Sequence, residues 1–249
     1  MTTEKLPICQ VRWLGVMDYD QAWALQNRLA AEIARGECPA TLLLLEHPPV
    51  YTIGRRGGWD HLLWDAAECQ RRGIQVREVD RGGDITYHGP GQLVGYPLLP
   101  LAAPNWQAAA ERLPQADFVG YLRKLESTLI AALARLGVVS GQREGYTGVW
   151  VPGGVMAKCR ACPPGEAPAP AKIASIGVKV DSHGVSRHGF ALNVDPNMDH
   201  WQGIVACGID GVRMTALAEL LSPCPAMEQV RAAVLDAFAA EFQSEIREG

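Results

Sequence analysis

No apolar run in this sequence approaches the roughly 18 residues that a membrane-spanning helix needs, and the N-terminal stretch lacks the basic-then-apolar order of a secretory leader. Both absences predict a soluble, cytoplasmic chain with no membrane partner. A surplus of charge is missing too: the formal net charge is −4, which gives no broad electrostatic case for nucleic acid. Cysteine occurs without the pattern of a disulfide framework, since the seven residues at positions 9, 38, 69, 159, 162, 207 and 224 are odd in number and scattered. Reduced thiols are expected. Cys159-Arg160-Ala161-Cys162 is half of a zinc site, with no second CxxC or HxxxH nearby to complete four ligands, so no metal centre is assigned and metal or redox use of the pair is the minority reading. Internal repeats and low-complexity linkers are also lacking. The length of 249 residues permits one large domain or two small ones, and the missing linker favours a single domain over 1–249.

What the chain does have is an apolar fraction of 48%, enough for a full core, and one dense polar stretch. Arg81-Gly82-Gly83-Asp84-Ile85-Thr86-Tyr87-His88-Gly89-Pro90-Gly91-Gln92 reads as a binding loop that feeds an apolar strand, Leu93 to Leu99. Its glycines let the backbone come close to a ligand, a freedom that lowers stability and so usually has a use. In isolation, a solvated hairpin loop with turn chemistry is an equal reading. Arg55, Arg56, Arg71, Arg72, Arg77 and Arg81 concentrate positive charge in the same part of the chain and suit an acidic partner.

Around that stretch the periodicities are those of a mixed protein. Ile8 to Leu14 reads as a strand, and Asp18 as the N-cap of a helix with Trp23, Leu25, Leu29 and Ile33 on its apolar side, ended by Gly36. Thr41 to Leu45, Val50 to Ile53 and Ile74 to Val79 have strand length and pattern, with a short helix, Asp65 to Arg72, between the last two. His47, before two prolines, reads as a structural imidazole. Asp117 caps the best helix, with Phe118, Tyr121, Leu122, Leu125, Leu129, Leu133 and Leu136 on a 3.6-residue period and Gly137 as the stop. Thr147 to Val151 and Lys172 to Val180 are predicted strands, separated by a Pro/Gly/Ala-rich insertion, 152–171, that holds Cys159 and Cys162. His188 to Val194 reads as a strand, Ile204 to Gly208 as a strand end and turn, and Thr215 to Leu221 and Met227 to Phe242 as closing helices. Neighbouring strands with helices between some of them predict an α+β fold, a mixed and mostly antiparallel sheet covered by helices.

Taken alone, Cys207 is a buried structural cysteine and Lys172 a solvated strand-edge lysine. The motifs together change that. Arg81 to Gln92, Lys172-Ile173-Ala174-Ser175-Ile176-Gly177, His188-Gly189-Phe190-Ala191-Leu192-Asn193-Val194 and Cys207-Gly208 closely resemble the lipoyl(octanoyl) transferases, with Tyr51-Thr52-Ile53-Gly54-Arg55-Arg56 in agreement. The resemblance covers roughly Leu42 to Leu221 and departs at 152–171, where that family has only a few residues. It implies the fold of biotin and lipoate protein ligases. It also implies transfer of an octanoyl group from the phosphopantetheine thioester of acyl carrier protein to a lysine of lipoyl domains, in 2-oxoacid dehydrogenases or the glycine-cleavage H protein, with no separate cofactor. By residue, it makes Cys207 the nucleophile and Lys172 its activating amine. Arg81, Gly82, Gly83, Asp84, Ile85, Thr86, Tyr87 and His88, with Ser175, Ile176, Gly177, Gly189, Phe190 and Ala191, would line the acyl site.

The chemistry is consistent with that pair. A thiol at neutral pH is mostly protonated, so a working Cys207 needs a nearby cation or base, and Lys172 is the proposed one. His88 would orient the loop, bind the acyl carbonyl or assist proton transfer, while His188 is a weaker candidate base for Cys207. An ATP-dependent lipoate or biotin protein ligase, which needs no thiol, is the nearest alternative. A non-catalytic acyl or carrier-protein-binding module is the other.

Overall fold

The computed structural model describes residues 6–101, 117–156 and 169–249. In chain order the strands are β1 (Ile8–Val16), β2 (Ala40–Glu46), β3 (Val50–Ile53), β4 (Gln75–Glu78), β5 (Ile85–His88), β6 (Gln92–Leu98), β7 (Gly141–Arg143), β8 (Tyr146–Val151), β9 (Ala171–Val180), β10 (Ser186–Asn193), β11 (Arg213–Met214) and β12 (Glu245–Glu248). The α-helices are α1 (Tyr19–Ala34), α2 (Ala66–Arg71), α3 (Phe118–Arg135), α4 (Gly153–Met156), α5 (Leu217–Leu220) and α6 (Met227–Glu241).

A nine-stranded sheet runs β12-β1-β2-β6-β10-β9-β8-β7, with β11 alongside β9, and a small sheet runs β4-β3-β5. In the large sheet β1 is parallel to β2 and β12, and β11 to β9, while the other neighbours are antiparallel. This is the expected α+β arrangement.

The continuous apolar runs make sense because the large sheet is buried on both faces. Successive side chains of a strand point to opposite faces, so Leu42 and Leu44 of β2 join the core under α3 and α6, and Leu43 and Leu45 join the core under α1. Leu93 and Val94 of β6, and Leu192 and Ala191 of β10, divide the same way. Each such leucine contributes about 2 kcal/mol of burial.

The helices start where their caps say. Asp18 Oδ1 accepts from the Asp20 N–H at 2.9 Å, Asp65 from Glu68 at 2.7 Å and Asp117 from Gly120 at 2.7 Å. Leu125, Leu129 and Leu133 of α3 are fully buried, whereas Phe118, at its first position, is 40% exposed. The buried side of α1 is Tyr19, Ala22, Gln26, Leu29, Ala30 and Ile33, with Trp23 and Leu25 half-buried. The stripe is turned from the expected one because Gln26 faces the sheet, its Oε1 accepting the His188 N–H at 2.7 Å.

Other boundaries differ for local reasons. The Arg81 segment is loop only to Asp84; Ile85–His88 forms β5, paired with β3 from Val50↔His88 to Ile53↔Ile85. Thr215 to Leu221 yields one helical turn, Leu217–Leu220. Gly153–Met156 is a helical turn and Ala171 already belongs to β9, while the Cys159 and Cys162 pair lies outside the described residues. No helix among the described residues is long and apolar enough to cross a membrane.

Candidate active site

The sulfur and the amine meet because of a two-residue strand. Arg213↔Ala171 and Met214↔Lys172 pair β11 to the start of β9, and the Thr215 N–H donates to the Lys172 carbonyl at 3.0 Å. That pairing folds the segment just before β11 back over β9, although 35 positions separate Lys172 from Cys207. Lys172 Nζ lies 3.2 Å from Cys207 Sγ, and Ser175 Oγ lies 3.7 Å from the same sulfur.

Cys207 sits in the turn expected at the end of 204–208, a 3-10 turn over Ala206–Gly208, with a left-handed backbone (φ 59°). A non-glycine residue in this region carries backbone strain of the kind that gathers at functional turns. Gly208 follows at φ 63°, and a Cβ there would fall 2.3 Å from Asp84 Oδ2. The thiol is thus presented by a turn that the Asp84 side chain packs against.

Lys172 is 3% exposed. It has room only because Gly148 on β8 carries no side chain: a Cβ at Gly148 would lie 2.5 Å from Lys172 Cε and 3.2 Å from Nζ. Gly148 also adopts φ 117°, and its N–H donates to the buried Glu126 carboxylate at 2.9 Å. The Trp150 ring stands 5.6 Å from the ammonium, a cation–π distance.

A cavity of about 480 Å³ opens beside the pair. Its lining includes Arg81, Gly82, Gly83, Asp84, Ile85, Thr86 and His88, then Ser175, Ile176, Gly177, Gly189, Phe190 and Ala191, and also Tyr19, Tyr96, Leu122, Tyr146 and His188. Close backbone approach explains two of the glycines. A Cβ at Gly177 would lie 2.9 Å from the Gly82 carbonyl, and one at Gly189 would lie 2.1 Å from the Gly95 carbonyl.

Arg81 is an anchor for this wall. It is 6% exposed, its Nη2 donating to the Thr52 carbonyl at 2.6 Å and hydroxyl at 2.8 Å, and its Nη1 to the Gly82 carbonyl at 3.0 Å. Of residues 81 to 88, Tyr87 is the one that does not line this cavity. On β5 it shares a face with Ile85 and packs into the cluster that includes Tyr51 and Trp201, its hydroxyl hydrogen-bonded to His200 Nδ1 at 2.9 Å.

Three imidazoles under the cavity are held neutral. His47 Nδ1–H donates to the Met17 carbonyl and its Nε2 accepts from the Tyr96 hydroxyl, both at 2.7 Å, and burial holds it down to about 4. Burial, reinforced by nearby His47, pushes His88 well below the ordinary imidazole range. Its Nδ1–H donates to Gln92 Oε1 at 2.8 Å, while Gln92 Nε2 donates to Asn193 and Asn193 Nδ2 to the Thr215 carbonyl, both at 2.9 Å. This line ends on Thr215, whose N–H donates to the Lys172 carbonyl. Burial also lowers His188, outweighing the Asp80 carboxylate 2.7 Å from its Nε2. That bond commits His188 to Asp80, away from the thiol.

Two residues beside the site went unremarked in the sequence: Gly148, which makes room for Lys172, and His61, whose Nδ1 lies 2.9 Å from the Asp84 carboxylate. A glycine inside a strand is a signal of close approach and points to Gly148; nothing in the spacing around His61 does. Among the described residues no three His, Cys, Asp or Glu side chains converge as metal ligands.

Comparison with known proteins follows this geometry. The lipoyl protein ligase A/B catalytic domain model matches residues 18–239. An octanoyltransferase of Chloroflexus aurantiacus is 42% identical over 220 residues, covering 88% of this chain and 87% of that protein. One from Syntrophotalea carbinolica is 44% identical, covering 91% and 90%. Another, from Mycobacterium leprae, is 43% identical, covering 91% and 85%. Among solved structures, the bipartite lipoate protein ligase of Thermoplasma acidophilum superposes with a TM-score of 0.71 at 16% identity, covering 98% of this chain and 87% of that one. A lipoate-protein ligase A bound with ATP gives 0.68 at 15% identity, covering 97% and 88%. The structural likenesses show a shared fold. The sequence identities go further: this chain belongs to the octanoyltransferases of the lipoyl protein ligase A/B catalytic family.

Proposed function

We propose that the protein transfers an octanoyl group from the thioester of acyl carrier protein to a lysine of lipoyl domains, through a thioester on Cys207. The carrying observation is the 3.2 Å contact between Lys172 Nζ and Cys207 Sγ at the wall of a cavity of about 480 Å³. The pair holds one proton between sulfur and nitrogen. Cys207 attacks the donor carbonyl as thiolate, the carrier's C–S bond breaks, and the departing sulfur takes the proton from Lys172. Lys172 is then a neutral amine beside an acyl-cysteine. The acceptor lysine attacks that carbonyl, Lys172 takes a proton from its nitrogen, and the bond to Cys207 breaks to restore the starting pair.

The energetics suit a reaction without ATP. The donor is already activated, exchange between two thioesters is nearly balanced, and amide formation runs downhill. Burial of the octanoyl tail at about 0.8 kcal/mol per methylene supplies several kcal/mol of binding. Arg56 at the cavity rim and Arg55 beside it suit the acidic surface expected of a carrier protein.

Mixing the protein with octanoyl carrier protein and weighing it intact tests this reading. A mass gain of one octanoyl group, absent in Cys207→Ala, is expected, together with loss of transfer in that variant. Transfer retained by Cys207→Ala would remove the nucleophile assignment. Release of pyrophosphate from free octanoate and ATP would favour an adenylating ligase, and none is expected.

A further inference from the structure

His61 lies outside the motifs and outside the steps just described, yet it stands next to them. Its Nδ1 faces both oxygens of Asp84 at 2.9 Å. Asp84 lines the same cavity as Cys207. A Cβ at Gly208, the residue after the nucleophile, would fall 3.2 Å from His61 Cε1. The backbone fixes the imidazole there, because the Val205 N–H donates to the His61 carbonyl at 2.9 Å and Leu62 bridges Ile204. The His61 side chain is 30% exposed and that of Asp84 13%, so the pair spans from solvent to the cavity wall. Its Nε2 has no hydrogen-bond partner among the described residues.

Proton counting shows where such a pair can act. A lysine reaches the enzyme as an ammonium, with an ordinary pKa near 10.4. Thioester plus R–NH₃⁺ gives amide plus thiol plus one free proton. The attacking nitrogen must therefore lose two protons. Lys172, a neutral amine with a single lone pair after acylation, takes one of them, and it cannot take both. The other must leave before attack, since an ammonium has no lone pair.

Resting on the acyl-cysteine reading above, we propose that His61 Nε2 takes that first proton from the acceptor ammonium at the cavity mouth, with Asp84 orienting the ring and balancing the imidazolium. The N–H bond of the ammonium breaks, the Nε2–H bond forms, and the freed lone pair attacks the Cys207 thioester; His61 then releases the proton to solvent. Its Nδ1–H, directed to Asp84, leaves Nε2 as the acceptor, the division of labour of a His–Asp pair in acyl transfer. The charged groups around His61 are Asp84, Asp60 and Asp210, and the hydrogen bond to Asp84 together with these carboxylates raises its affinity for the proton. The same carboxylates attract an ammonium.

The test separates the half-reactions in His61→Asn, which keeps an N–H for Asp84, and in His61→Gln. Acylation of Cys207 by octanoyl carrier protein is followed by intact mass, and discharge of the acyl-enzyme to a lipoyl-domain lysine is timed from about pH 6.5 to pH 9.5. Acylation should stay within about twofold, while discharge at neutral pH falls at least about tenfold. The deficit should shrink toward pH 9.5, where more of the lysine arrives neutral, and added imidazole should restore part of it. Equal losses in both steps at every pH would assign His61 a purely structural hold on the Gly208 turn and overturn the proposal. No acyl-enzyme even in the unsubstituted protein would bring down the underlying reading, and this inference with it.

Discussion

Gly148 illustrates how a missing side chain makes a site. It holds φ 117° and lets Lys172 Cε pass where a methyl group would stand 2.5 Å away. Substitution by alanine therefore adds backbone strain and pushes the amine off the sulfur. Gly148→Ala should cost about 1–3 kcal/mol of stability and, if Lys172 acts as proposed, lower transfer at least about tenfold in the folded enzyme, because displacement of a reacting group by an ångström carries that order of loss. Urea melts and steady-state transfer rates measure the two effects, and full activity in the variant would mean that Lys172 does not need this path. Cys207 and Lys172 entered the candidate site only through the resemblance of their motifs to a known family, since taken alone they read as a structural thiol and a strand-edge amine, while the glycines of the Arg81 segment signal close approach by themselves. Tyr87 was not, since a four-residue strand among glycines gives too few alternations to show which way its hydroxyl points. His61 was not either, as its partner Asp84 lies 23 positions away.

At the scale of the element, legibility follows length. α3, with 18 residues and an N-cap, repeats its period often enough to be read directly. β7, β11 and β12 have three, two and four residues, and such pieces exist because a neighbour offers a free edge. The β11 pairing, invisible beforehand, is nonetheless what carries Cys207 to Lys172. The long helix predicts its own mutational behaviour. Leu129 is 0% exposed and packs with Leu125 and Leu133, so Leu129→Ala should cost about 2–5 kcal/mol. A lower urea midpoint with an unchanged slope is the expected record. A loss below about 1 kcal/mol would mean that the core between α3 and the sheet collapses readily around the gap.

For the molecule as a whole, the buried imidazoles beneath the cavity tie stability to pH. His47, His88 and His188 are 0%, 6% and 1% exposed, and each is lowered chiefly by burial. In the unfolded chain they titrate near 6.5. Between that value and their lower native values the unfolded state binds more protons, so stability is full above about pH 6.5 and declines as the pH falls. Each histidine contributes up to about 1.4 kcal/mol per pH unit while only the unfolded chain is titrating. Asp80 acts in the same sense further down, its carboxylate held below the usual range first by the His188 hydrogen bond and also by Lys179 and Arg187. His61, raised by Asp84, has the opposite sign, but its exposure keeps that term small. Urea denaturation at pH 7 and pH 5 should therefore show a loss of several kcal/mol, and His47→Gln should flatten the slope by about one histidine's share. Stability that stays level or rises between those two pH values would mean that these rings already carry protons in the native protein, against the neutral Tyr96–His47–Met17 chain seen here.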